Sequence, residues 1–240
     1  MSVGRILQSG GASLGVVLSP QQSDILSRYV ELVLAWRVRA NITGVRTPAE
    51  GARVLVLDAL ICLAALPQRG SIVDLGSGAG TPGIPIAVAR PNVHLALVEA
   101  SRKKAGFLEV VLRELGLANV EVLQTRAETV GRSPAHRERY DAVTARALAG
   151  IPVLAEYALP LLRIGGVAVF LKAPAAASMV HRAAAAVALL GGEAEADVPA
   201  PAGRPRLVIL RKVAPTPDRF PRRPGVPARR PLAVDPPPGS

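Results

Sequence analysis

Apolar residues recur along this chain with two different periods, and the change of period divides it. After Ser19-Pro20-Gln21-Gln22, a capping box with proline at the first helical position, residues Ile25, Leu26, Tyr29, Val30, Val33 and Trp36 fall at helical spacing. Thr47-Pro48-Ala49-Glu50 opens a second helix, expected to run to about Leu66. From Ser71 onward, short apolar runs alternate with helical stretches. Strands are expected at residues 71–75, 94–99, 120–123, 141–144, 167–171 and 207–212. Between them, helices are expected at 82–90, from Ser101 (as its cap) to Gly116, at 152–162 and at 175–190. This alternation predicts the doubly wound α/β class, a mainly parallel sheet covered on both faces. The chain then divides into a flexible Gly/Ser-rich lead-in (1–18), a helical cap (19–68), the α/β domain (69–213) and a Pro/Arg-rich tail without period (214–240).

Composition narrows the partners. With aromatic residues at only 3%, the core must be built from aliphatic side chains. Basic residues number 29 against 18 acidic ones, a net charge of +11 that favours a polyanion through counterion release. The single cysteine, Cys62, sits in an apolar run and rules out an internal disulfide framework or a cysteine-based zinc site. The three histidines lack metal-ligand spacing, so no metal is expected. No run approaches the ~20 apolar residues of a membrane span, and a cytoplasmic monomer is expected.

The chemistry concentrates after the first strand, at Asp74-Leu75-Gly76-Ser77-Gly78-Ala79-Gly80. Glycines allow a tight turn and close approach of backbone to a ligand, and ligands of open α/β sheets bind at the strand carboxyl ends. Glu99 closes the second strand, where an acid can accept hydrogen bonds from ribose hydroxyls. Asp74 either holds the turn or accepts from a ligand ammonium. Gly78-Ala79-Gly80-Thr81-Pro82-Gly83 also satisfies the dinucleotide pattern, so an NAD(P)-dependent oxidoreductase stands as the alternative. The acid two residues before Gly76, the glycine spacing and the acid-bearing loop Thr125-Arg126-Ala127-Glu128 favour an S-adenosylmethionine-dependent methyltransferase.

The segments Trp36…Asn41-Ile42-Thr43, Leu57-Asp58, Asp74 through Pro85, Glu99…Lys103-Lys104…Phe107-Leu108, Arg126-Ala127-Glu128, Arg146-Ala147, Leu171-Lys172 and Phe220-Pro221-Arg222-Arg223-Pro224-Gly225 keep one order and spacing. Together they resemble the RsmG (GidB) family of 16S ribosomal RNA guanine-N7 methyltransferases. The resemblance implies a Rossmann-like class I fold with a seven-stranded sheet. It also implies S-adenosylmethionine as cofactor and 16S ribosomal RNA, or the small subunit, as partner. By that resemblance Gly76, Thr81, Ala127, Glu128 and Arg146 lie on the cofactor site; Asp74, Gly78, Gly80 and Glu99 join them from their place around the turn. Val54-Leu55 stand where the family usually carries Arg-His, and Thr81 where it carries a bulky apolar residue. A non-catalytic RNA-binding relative is therefore the third reading.

Other methyl transfers fit less well. An adenine-N6 enzyme would show an Asn/Asp-Pro-Pro-aromatic loop where Thr144-Ala145-Arg146 stands, and a pyrimidine-C5 enzyme needs a nucleophilic cysteine in its loop. No general base is assigned. Arg146 and Lys172 are the candidates for orienting substrate, and Lys172, Arg222, Arg223, Arg229 and Arg230 for RNA contact. The bland alternatives are an ion pair of Arg146 with Asp141 or a neighbour, a solvated Lys103-Lys104 helix face, and local capping or pairing by Asp58.

Overall fold

In a computed structural model of the chain, the described residues are 2–146, 148–173, 180, 182–198 and 204–232. Three helices precede the sheet: α1 (Val3–Ser13), α2 (Pro20–Ala40) and α3 (48–64). The Ser19 capping box forms as expected, with Ser19 accepting from the Gln22 amide and Gln22 accepting from the Ser19 amide. The third helix changes its winding. It is α-helical at Pro48–Gly51, widens to a π segment at Ala52–Leu57, and ends in a 3₁₀ turn at Ile61–Ala64. Widened turns of this kind release carbonyls from the regular ladder and occur often at functional sites.

The expected flexible lead-in is corrected: Val3–Ser13 is a helix with Ile6 and Leu7 buried. Its glycines suggest flexibility only until the packing is seen. A Cβ at Gly10 would lie 2.3 Å from Leu57 Cδ1, so glycine is what lets α1 approach α3. Its helix-propensity penalty of about 1 kcal/mol is offset by that contact.

The sheet follows as β1 (Gly70–Leu75), β2 (Val93–Val98), β3 (Val120–Leu123), β4 (Tyr140–Arg146), β5 (Leu162–Lys172), β6 (Gly192–Val198) and β7 (Arg206–Lys212), in spatial order β3-β2-β1-β4-β5-β7-β6. The first five strands are parallel, and β7 pairs antiparallel with β5 and β6. Helices α4 (Gly83–Ala89), α5 (Arg102–Leu115), α6 (Ala127–Arg132), α7 (Ile151–Ala158) and α8 (Ala184–Leu189) alternate with the strands, and α9 (Val226–Arg229) lies in the tail. Ile72, Leu95, Leu97, Ala142 and Val169 face the N-terminal helices, while Val73, Leu75, Ala96, Val143 and Phe170 face α7 and α8. Neighbouring residues in a strand point to opposite faces, and this places a core on each side of the sheet.

β6 and α6 are additions to the expected elements. Residues 175–179 and 181 of the expected 175–190 helix, Ala147 and 233–240 of the tail lie outside the described residues. Ser101 stands at the cap position of α5, but its side chain makes no cap bond.

The described tail is also corrected, from a free arm to a strap. Thr216 and Phe220 are buried, and Arg137 donates to the carbonyls of Thr216 at 2.6 Å and Phe220 at 2.7 Å. Arg222 forks onto Glu156, with Nε 2.8 Å from Oε1 and Nη2 2.6 Å from Oε2. Glu156 is fully buried, so this pair is not a surface ornament. Lys212, also fully buried, donates to the Leu159 carbonyl at 2.7 Å and pairs with Glu138 at 3.1 Å.

Removing one partner of a buried pair strands the other charge. Arg222→Ala should therefore lower stability by about 3 kcal/mol, read as a fall in the urea midpoint. Arg222→Leu combined with Glu156→Met should recover most of it. An unchanged midpoint in the single variant would show that the strap carries no stability.

Candidate functional site

The sheet reverses direction of growth at β1, which has β2 on one side and β4 on the other. Chains leaving the carboxyl ends of β1 and β4 diverge, and a crevice opens between them. The turn after β1 lies across it. Gly76 and Ser77 donate to the Val98 carbonyl at 2.9 and 3.2 Å, and Gly80 donates to Ser77 at 2.6 Å. Gly76 has φ +68°, a region that strains other residues, and a Cβ there would lie 2.6 Å from Leu148.

Asp74 sits beneath this turn with no exposure. Its Oδ1 accepts from the Thr144 hydroxyl at 2.8 Å; Oδ2 makes no hydrogen bond of good geometry. Burial pushes its carboxyl up to about 7, against the pull of Thr144, Ser77 and the nearby Gly83 amide. Asp74 lies beneath the turn and is not among the residues that line the crevice. Gly80 is likewise covered, by Ile84 and Leu108.

Glu99 ties the turn sideways. Its Oε2 accepts from the Gly78 amide at 2.9 Å and its Oε1 from the Ser101 amide at 2.7 Å. Glu128, nearly buried in the first turn of α6, accepts from the Gly225 amide of the strap at 2.7 Å. Tyr157 lies beside it, and its hydroxyl is pushed up to about 12 by burial and by Glu128.

The crevice has two lobes, each of about 330 Å³. Glu99, Arg126, Ala127, Glu128, Leu148 and Tyr157 line the sheet-side lobe. Ile42, Thr43, Val54, Leu55, Gly78 and Thr81 line the cap-side lobe, among others. Gly76, Lys104 and Arg146 line both.

Arg146 turns toward the helical cap and not toward Asp141, which Arg163 holds at 2.5 Å. Its guanidinium donates to the Val54 carbonyl and lies 3.5 Å from both Asp58 Oδ2 and Thr81 Oγ1. Thr81 donates to the Leu55 carbonyl at 2.8 Å. Two successive carbonyls of the π segment thus serve residues of the crevice. Asp58 pairs over long range with Arg146 and, at 3.1 Å, with Arg204, correcting the local pairing expected of it. Burial raises the Asp58 pKa in spite of both arginines.

Of the expected cofactor residues, the crevice gathers Gly76, Gly78, Thr81, Glu99, Ala127, Glu128 and Arg146, and leaves out Asp74 and Gly80. The expected RNA contacts do not converge. Lys172 donates to the Ala149 carbonyl and burial lowers its pKa; Arg222 is the clamp on Glu156; Arg229 Nε is 3.3 Å from the Gly225 carbonyl. Arg223 and Arg230 are exposed. Sequence reasoning missed Lys104, Arg126, Leu148 and Tyr157 as crevice residues. Position 104 carried a usable signal, the third residue of a helix that begins at the crevice; Leu148 and Tyr157 carried none.

A family model described as rRNA small subunit methyltransferase G matches residues 22–206. Proteins named ribosomal RNA small subunit methyltransferase G from Pelotomaculum thermopropionicum, Chloroflexus aggregans and Roseiflexus sp. are 40%, 45% and 46% identical to this chain. The alignments cover 94%, 95% and 91% of it and 97%, 98% and 95% of those proteins. Among solved structures, a mutant MtNAS crystallised with S-adenosylmethionine aligns with a TM-score of 0.54 over 88% of each chain at 15% identity. The mitomycin 7-O-methyltransferase MmcR aligns with a TM-score of 0.53 at 17% identity, covering 69% of this chain and 56% of its own. At such identities the likeness is one of fold. The sheet order, the crevice at its switch point and the relatives matched along most of its length agree: this chain belongs to the rRNA small subunit methyltransferase G (GidB) family of methyltransferases.

Proposed function

We propose that the chain transfers the methyl group of S-adenosylmethionine to N7 of a guanine in 16S ribosomal RNA, acting as a cytoplasmic monomer without a metal. The observation that carries this reading is the two-lobed crevice divided at Gly76, with a carboxylate-lined lobe on one side and an apolar lobe against the helical cap on the other. The volumes fall in the range of small-ligand sites. The sheet-side lobe fits a nucleoside. Glu99 keeps acceptor capacity for ribose hydroxyls beyond the two amides it already holds, and the absent side chain at Gly76 leaves room for close backbone approach. Gly76, Gly78, Glu99, Ala127 and Glu128 would hold the cofactor, with Thr81 and Arg146 closing its far end. Asp74 and Gly80 act by shaping the turn.

When bound, the cofactor supplies a methyl group made electrophilic by its sulfonium. Guanine N7 carries an in-plane lone pair and needs no prior deprotonation, so the reaction calls for no general base. The task left to the chain is alignment of two reactants. The ties of the Gly76 and Gly78 amides and of the Thr81 hydroxyl serve it. The acceptor base must leave its stack to reach the cap-side lobe. Ile42, Val54 and Leu55 offer an apolar wall there. The Val54-Leu55 replacement of the family's Arg-His leaves the two carbonyl acceptors in place, because they belong to the backbone.

Three outcomes check these statements. Glu99→Ala and Gly76→Val should each weaken S-adenosylmethionine binding at least about tenfold by calorimetry, a loss of ~1.4 kcal/mol; unchanged affinity in both would move the cofactor elsewhere.

For Asp74, the folded pKa of about 7 lies above the unfolded ~3.9. Between those values the folded state binds more protons, so stability should fall as pH rises from about 4 to about 7. Asp74→Asn should flatten that limb of the urea midpoint against pH, and a limb that persists would assign it to another group.

Finally, N7-methylguanine should appear on 16S RNA of small subunits lacking the modification when they are incubated with the protein and labelled cofactor. Binding of both without transfer would mark a non-catalytic relative.

A further inference from the structure

Lys104 and Arg146 are the two cations that line both lobes, and their environments differ. Arg146 is neutralised from within. Asp58 stands 3.5 Å from it, and the Val54 carbonyl and Thr81 take the remaining contacts. Lys104 makes no hydrogen bond or ion pair among the described residues. No carboxylate lines the cap-side lobe, whose other described walls are apolar side chains, hydroxyls and the glycine turn. The two acids of the sheet-side lobe, Glu99 and Glu128, are each already tied to backbone amides. Lys104 also follows Arg102 and Lys103 in the first turn of α5, which holds no acidic residue. Three cations there run against the helix dipole. The fold thus keeps, at the junction of the lobes, an ammonium whose donors no described residue takes up.

The reaction gives that charge a meaning. The N7–carbon bond forms as the carbon–sulfur bond breaks; the electron pair of the latter stays on sulfur, and the positive charge passes to the guanine ring. An ammonium left without a partner at the junction would oppose a cation arriving in the cap-side lobe. A phosphate on the ammonium removes that opposition, as Asp58 already does for Arg146. We propose that Lys104 takes a backbone phosphate of the RNA next to the target nucleotide, so that the substrate completes the charge balance of its own site. This rests on the reading of the crevice as an RNA methyltransferase site.

The test compares Lys104→Gln and Lys104→Arg with the parent protein, using 16S RNA that lacks the modification. Each neutralised single-strand phosphate contributes about 0.7 to the slope of log affinity against log salt. Lys104→Gln should reduce that slope by about this amount and raise KM for RNA about tenfold, with the affinity for S-adenosylmethionine within about twofold of the parent. Lys104→Arg should restore both slope and KM. An unchanged slope would overturn the proposal. So would a slope unchanged with cofactor affinity lost, which would assign Lys104 to the cofactor's carboxylate. The slope reads Lys104 whether or not transfer occurs. A parent protein that binds RNA but neither binds the cofactor nor transfers methyl would instead fail the functional reading.

Discussion

The backbone between Gly76 and Gly83 lies across the end of the sheet because the Val98 carbonyl and the Glu99 carboxylate take its amides, with Asp74 buried beneath it. Asp74 is sealed under the turn with Thr144, and Glu99 binds it from the side through the Gly78 amide. A buried carboxylate with one unbonded oxygen is an expensive support, and its raised pKa is the sign of that expense. The turn is tied at several points, in a reaction whose rate depends on how well two atoms are aligned.

Around this turn, three parts of the chain that are distant in sequence close the crevice. The helical cap reaches it through the Tyr29 hydroxyl, 3.0 Å from the Ala79 carbonyl, and through the carbonyls of the π segment. The end of β4 contributes Arg146. The C-terminal strap braces it from behind, where the Gly225 amide fixes Glu128 and Arg222 clamps Glu156. The two ends of the chain therefore support opposite lobes. A change far from the crevice, in the strap or in the close packing of Gly10 on Leu57, bears on the site through these elements.

The basic character of the chain also resolves into distinct uses. Arg137 donates to carbonyls of the strap, Arg222 of the strap clamps Glu156 of α7, and Arg146 is matched by Asp58. A net charge of +11 is a property of the whole surface and does not say which cations are free. Arg222 illustrates the difference: it reads as part of an RNA-facing run, yet its guanidinium is engaged by a fully buried acid.

The sequence by itself determined what local periodicity and short motifs encode. It determined the capped α2 helix, the strand–helix alternation that implies a mainly parallel sheet, the glycine turn and the acid after β2, because each depends on neighbours a few residues apart. The resemblance carried by the extended glycine motif added the family and its cofactor. Tertiary structure alone decided the rest. It made a helix of the Gly-rich 3–13 segment, because Gly10 meets Leu57. It folded the tail into a strap, because buried Glu156 and Glu128 find their partners there. It paired Asp58 with Arg146 across 88 residues, and brought Lys104 to both lobes. Burial and charge pairing join positions that no local pattern links, and so they become legible only when the chain is packed.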